Sequence, residues 1–144
     1  MKSVKHTELY KEALIELNYD YADVFVYEGF VIVEFAEGLV FNWDDYGQTM
    51  VKDVCDYLDT NGGDLVYISH RINNYSVKAT DWMKLYSLNY DVRANAVVGY
   101  KPNSFLTTVI ENLFLKNKIK RFNSLIDAVN WVKQLVKEEK EENV

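Results

Sequence analysis

The densest concentration of chemistry-bearing side chains is Ser69-His70-Arg71-Ile72-Asn73-Asn74-Tyr75-Ser76. A guanidinium, two amides, an imidazole, a phenol and hydroxyls in so short a stretch suit contact with an anion or a polar partner surface. An Arg fork and free backbone N–H groups converge readily on negative charge. A polar surface loop that ends in an ordinary helix cap at Ser76 explains the same residues. Ser76 and His70 do not make a nucleophile and its base: the intervening loop fixes no hydrogen-bond geometry, no third group orients the imidazole, and the sequence has no Gly-x-Ser-x-Gly elbow. No catalytic residue is assigned, and the chain is expected not to be an enzyme. Asp44 and Asp45 diverge by about 100° as neighbours on a helix, and first-turn carboxylates already complement the helix dipole. Cys55 has only Lys52 in register to lower its pKa and reads as an inert thiol. One Cys and two His, His6 and His70, are too few for a zinc cluster, so no metal and no cofactor are expected. Asn61-Gly62-Gly63 precedes a strand pattern and stops a helix; it does not cradle a phosphate.

These side chains need a scaffold, and the apolar periodicity supplies one. The segment 22–35 is β-branched and aromatic except for Glu28-Gly29, which predicts two strands joined by a tight hairpin. Asn42 caps a helix with Trp43, Tyr46, Met50, Val54 and Leu58 on one face. A short buried strand at 65–69 follows, then a helix capped by Ser76 with Ala79, Trp82, Met83 and Tyr86 inward. A strand at 94–100 leads to a helix opened by Pro102-Asn103-Ser104, with Phe105, Val109, Ile110, Leu113 and Phe114 on one face. Residues 118–122 alternate as a half-exposed edge strand, and Ser124-Leu125-Ile126-Asp127 is a capping box for a last helix. The order β-β-α-β-α-β-α-β-α predicts an α/β fold with a mostly parallel five-stranded sheet and an antiparallel first strand.

Adjacent right-handed crossovers place most helices on one sheet face, so residues 1–21 or a second copy of the chain, as a homodimer, must cover the other. Residues 1–21 form an N-terminal extension. Leu9, Glu12, Ala13, Glu16 and Leu17 have helical spacing there, whereas the alternation around Leu14, Glu16 and Asn18 suits a strand; the helix is favoured. Residues 22–136 make the domain, and 137–144 a charged helix end.

The chain has 144 residues, 49% of them hydrophobic, enough for one core. A net charge of −6 argues against nucleic acid as a partner. The charge is uneven, however: residues 1–64 carry −10, residues 65–133 carry +6 and the remainder −2. A basic side suits an oriented protein partner or an anionic ligand, unless the halves neutralise each other in the fold. The basic run Lys116, Lys118, Lys120 and Arg121 is explained by edge-strand protection. No apolar run reaches the roughly 18 residues of a membrane span and no secretion signal is visible, so a cytoplasmic location is expected.

With the element order in place, three stretches carry a family likeness. They are the hairpin Val24-Phe25-Val26-Tyr27-Glu28-Gly29-Phe30-Val31-Ile32-Val33-Glu34-Phe35 followed by Glu37-Gly38, the run Asn73-Asn74-Tyr75-Ser76-Val77, and Phe122-Asn123-Ser124-Leu125-Ile126-Asp127-Ala128-Val129-Asn130-Trp131-Val132. Over about residues 22–136 the chain resembles the STAS domain family, in particular the small SpoIIAA-like or STAS/SEC14-like bacterial proteins. The resemblance implies a SpoIIAA-like fold and a non-catalytic regulatory domain that binds a protein partner. The contact surface would be the loop before the second helix: His70, Arg71, Asn73, Asn74, Tyr75 and Ser76. Ser76 takes the place of the family's phospho-acceptor, although Tyr75 stands where the antagonist pattern has Asp. The SEC14-like relation implies an alternative, a small apolar or anionic ligand held between sheet and helices.

Overall fold

The computed structural model describes residues 2–142. Its main sheet has six strands in the order β1-β2-β3-β5-β7-β8: β1 (Ile15–Tyr19), β2 (Ala22–Tyr27), β3 (Phe30–Phe35), β5 (Val66–Arg71), β7 (Ala94–Gly99) and β8 (Ile119–Phe122). β1, β2 and β3 pair antiparallel, and β3, β5, β7 and β8 pair parallel. The five strands expected from the sequence are present, and the architecture is α/β with a mostly parallel mixed sheet. β1 is the addition. It arises from the stretch for which a helix was favoured, because the open edge of β2 offers it a full antiparallel register from Ile15↔Val26 to Tyr19↔Ala22. A separate two-stranded pair joins β4 (Val40–Phe41) to β6 (Ser76–Val77).

Among the described residues there are four α-helices: α1 (Gln48–Leu58), α2 (Trp82–Ser87), α3 (Leu106–Glu111) and α4 (Leu125–Glu142). The Asn42 side chain accepts from the Asp45 amide at 2.8 Å and caps the turn that leads into α1. Ser124 receives the Asp127 amide at the start of α4. Alternation along the strands sorts side chains onto two faces. Phe30, Ile32, Val66, Ile68, Ala96 and Val98 pack against α4 through Ala128, Val129 and Val132. Val31, Val33 and Phe35 face the opposite way, toward Met50 and Val54 of α1.

The three crossover helices share that second face, as same-handed connections require. The first face is covered by α4 and by the N-terminal segment, whose two short 3-10 turns, Val4–His6 and Glu8–Glu12, bury Val4 and Leu9 in the same cluster. The cover expected from residues 1–21 is therefore intramolecular. Among the described residues no helix is long and apolar enough to cross a membrane.

A buried carboxylate pins this cover. Glu34 sits in an otherwise apolar strand and accepts the Ser3 hydroxyl at 2.6 Å, the Val4 amide at 2.9 Å and His70 Nδ1 at 2.7 Å. His70 Nε2 lies 2.6 Å from the Tyr100 hydroxyl. The imidazole thus links Glu34 through Nδ1 to Tyr100 through Nε2, and each member of the chain has a hydrogen-bond partner. Replacing Glu34 by Ala leaves three donors without their acceptor and should cost about 3 kcal/mol in urea unfolding, with faster hydrogen exchange at the Val4 amide. A loss below about 1 kcal/mol, with Val4 still protected, would show that the N-terminal segment is held by apolar packing alone.

Candidate functional site

Strand β5 carries the site because its alternate residues point to different sides. His70 belongs to the Glu34 face, while Tyr67, Ser69 and Arg71 lie beneath the crossover helices. Arg71, only 7% exposed, is the buried cation there. Its Nη2 donates to the Thr107 hydroxyl at 2.7 Å and lies 3.9 Å from Glu111 Oε2, and its guanidinium stacks 4.2 Å from the centre of the Tyr75 ring. Glu111 also accepts the Trp82 indole N–H at 3.1 Å. Burial raises the Glu111 pKa, while the Trp82 hydrogen bond and the Arg71 charge pull the other way.

Tyr75 packs edge-on against Phe35 and shares a hydrogen bond with the Ser69 hydroxyl. Burial pushes its phenol up to about 12, against the opposing pull of Arg71 and Ser69, and pushes Tyr67 well above the ordinary tyrosine range. Both phenols are therefore neutral at physiological pH. Cys55 also borders this region, and burial pushes its thiol up to about 11, which leaves almost no thiolate.

Between these groups and the helices lies a cavity of about 110 Å³. Val33, Met50, Val54, Leu85 and Val97 give it an apolar wall, with Arg71, Glu111 and Asn95 among its few polar lining groups. A second, polar cleft of about 100 Å³ lies at the carboxyl ends of β5 and β7, lined by Glu37, Arg71, Asn73, Asn74, Lys101 and Ser104. Arg71 borders both.

The six loop residues singled out from the sequence do not form one surface. His70 is on the opposite face of the sheet. Arg71 and Tyr75 wall the cavity. Asn73 and Asn74 line the cleft, where Asn73 Nδ2 donates to the Phe35 carbonyl at 3.0 Å. Ser76 is exposed on β6 and caps no helix, because α2 begins six residues later behind a 3-10 turn, Ala79–Asp81. The loop amides are also occupied. The Asn74 amide donates to Glu37, the Ser76 amide to the Leu39 carbonyl and the Lys78 amide to the Phe41 carbonyl, so the segment 37–41 takes the donors that an anion would need. Met83, read as inward, is 59% exposed.

Helix α3 departs furthest from its periodicity. Leu106, Val109, Ile110 and Leu113 are 67, 60, 57 and 77% exposed, while Thr108 and Glu111 are buried. The reason lies on the sheet. Arg121 Nε and Nη2 donate to Thr108 Oγ1 at 3.1 and 2.7 Å, and Arg71 and Trp82 need Glu111. Leaving the buried Arg71 guanidinium and the Trp82 indole N–H without an acceptor would cost more than burying the aliphatic side chains would gain, so the polar side of the helix turns inward.

Thr107, Thr108, Glu111 and Asn95 were missed by sequence reasoning. The available signal was an Arg ending a buried strand, which requires a buried acceptor, in a segment with only four acids. Among the described residues no group of three or more His, Cys, Asp or Glu side chains could hold a metal ion. No family model, curated protein or solved structure matches the chain.

The inversion of α3 is testable by urea unfolding. Ile110→Gln and Leu113→Gln should each change stability by less than about 0.5 kcal/mol, whereas Thr108→Val, nearly isosteric, should cost about 1–3 kcal/mol. Losses above about 2 kcal/mol for the two Gln variants would mean that the apolar stripe faces inward.

Proposed function

We propose that this chain is a non-catalytic binding protein that holds a small, mainly apolar ligand in the cavity between its sheet and helices α1–α3. The observation that carries this reading is the apolar cavity itself, in an interior whose close packing otherwise leaves few voids larger than a water molecule. A layered α/β scaffold with covered sheet faces, and a ligand between sheet and helices, agrees with a SpoIIAA-like, STAS/SEC14-like protein, and that assignment is part of the proposal.

A second reading is a regulatory domain that contacts a protein partner, and it has support of its own. The exposed aliphatic stripe of α3 lies in the basic half of the chain, next to Lys116 and Lys118, and such stripes mark interaction surfaces. In this reading the surface is α3 rather than the loop 69–76, and the exposed Ser76 is the candidate phospho-acceptor. The double variant Ile110→Gln/Leu113→Gln separates the two: it keeps ligand binding under the first and loses partner binding under the second.

Benzene tests the first reading. At ten times its dissociation constant it should stabilise the native state by about 1.4 kcal/mol and raise Tm by about 4 °C. Val97→Phe, which fills the cavity, should abolish the rise. No shift in the wild-type protein at saturating benzene would contradict the proposal, and so would an undiminished shift in Val97→Phe.

A further inference from the structure

Two buried polar atoms have no hydrogen-bond partner among the described residues, and both belong to residues lining the same cavity: Arg71 Nε and Asn95 Oδ1. Buried polar atoms are almost always paired, so two orphans in one cavity wall call for a common explanation. Their chemistry is opposite. Arg71 Nε–H can only donate, whereas Asn95 Oδ1 can only accept. The Asn95 amide orientation is fixed by its Nδ2, which donates to the Asn117 carbonyl at 3.2 Å. Asn95 is 1% exposed, so bulk water does not satisfy it.

The sheet register separates the two positions. Tyr67 pairs with Asn95 and Arg71 pairs with Gly99, which places Arg71 four residues farther along the sheet. At 3.3 Å per residue that is about 13 Å between backbone positions. The wall between them is largely Val33, Val97, Met50 and Val54, and the Ser69 and Tyr75 hydroxyls within it hydrogen-bond each other, which leaves little to hold a chain of waters. A cavity of about 110 Å³ is near the roughly 150 Å³ that admits a benzene ring, so the body that fits is one ring and not a long chain.

Charge decides the nature of the acceptor. Arg71 already faces Glu111 at 3.9 Å; the neighbouring phenols Tyr67 and Tyr75 are neutral, and Asp81 is engaged by the Trp43 amide at 2.8 Å and by Lys84. The other cation of the lining, Lys78, is exposed to solvent, so no unbalanced buried positive charge awaits an anion at the Arg71 end, and a carboxylate there would bring a second negative charge against Glu111 in a buried site.

We infer that the ligand is a neutral, single-ring molecule with a hydrogen-bond acceptor such as a carbonyl at the Arg71 end and a hydroxyl or amine donor at the Asn95 end. This rests on the reading of the cavity as a ligand site and adds the chemistry of what fills it.

Calorimetric titration of the full chain with four ring probes, near pH 6 where phenols are neutral, tests the inference. Acetophenone should bind about tenfold more tightly than ethylbenzene, and 4-hydroxyacetophenone about tenfold more tightly again, one step for each orphan atom satisfied. 4-Hydroxybenzoate should bind at least about tenfold more weakly than 4-hydroxyacetophenone. In Asn95→Leu the gain from the hydroxyl should vanish and the gain from the carbonyl should remain; should that variant not fold, the wild-type series decides alone.

A flat series, in which ethylbenzene binds as well as 4-hydroxyacetophenone, would overturn the inference and leave the cavity a purely apolar site. Tightest binding of 4-hydroxybenzoate would overturn the neutral acceptor. A hydroxyl preference that survives Asn95→Leu would overturn the Asn95 end. Binding of none of the four probes would instead end the underlying reading of the cavity as a ligand site.

Discussion

A guanidinium withdrawn from water at the end of a central strand is the constraint on which this structure turns. Arg71 cannot lose its charge, and an unpaired buried cation would cost several kcal/mol, so the elements above it are arranged to supply acceptors and a ring face. Thr107 and Glu111 come from α3, and the Tyr75 ring comes from the loop after β5. On the neighbouring edge strand the solvent-exposed Arg121 adds a further tie to α3, donating to Thr108 Oγ1. Three side chains of one short segment, Thr107, Thr108 and Glu111, thereby fix how α3 lies, and its aliphatic stripe goes to solvent as a consequence.

The same constraint shapes the cavity. Polar side chains occupy the inward side of α3, so its aliphatic side chains go to solvent and do not fill the space beneath the crossover helices. The opposite face of the sheet solves its own polar problem differently. There Glu34 is satisfied completely, by Ser3, Val4 and His70, and the apolar layer around it is closed by Val4, Leu9 and α4. One face is sealed with all its buried polar groups paired, and the other keeps a cavity with two of them unpaired. That asymmetry is what the proposed ligand site rests on.

Local signals carried much of this fold. Strands β2 and β3 are legible because β-branched and aromatic residues crowd around Glu28-Gly29, and the caps at Asn42 and Ser124 appear where short-range chemistry places them. What was not legible depends on partners distant in the chain. β1 has mixed periodicity, and only the open edge of β2 decides it. Ser76 has the composition of a helix cap, yet pairing of Val40 with Ser76 and Phe41 with Val77 draws it into a strand. The facing of α3 was reversed because periodicity weighs apolar residues alone and takes no account of which buried donors on the sheet need acceptors. The pairing of Glu34 with His70 spans 36 residues. Its one local trace is a carboxylate in the middle of an apolar strand, a residue type rarely buried without a partner.

The central claim is that Arg71 and Glu111 act as one unit that orients α3, and a double-mutant cycle in urea measures it directly. Arg71→Met and Glu111→Leu should each cost about 3–5 kcal/mol, since each strands the other charge in the interior. The double variant, with neither charge left, should lose less than the more damaging single change, giving a coupling of at least about 2 kcal/mol. Losses that simply add, with coupling below about 0.5 kcal/mol, would show that the two side chains are independent and that something else holds α3 in place.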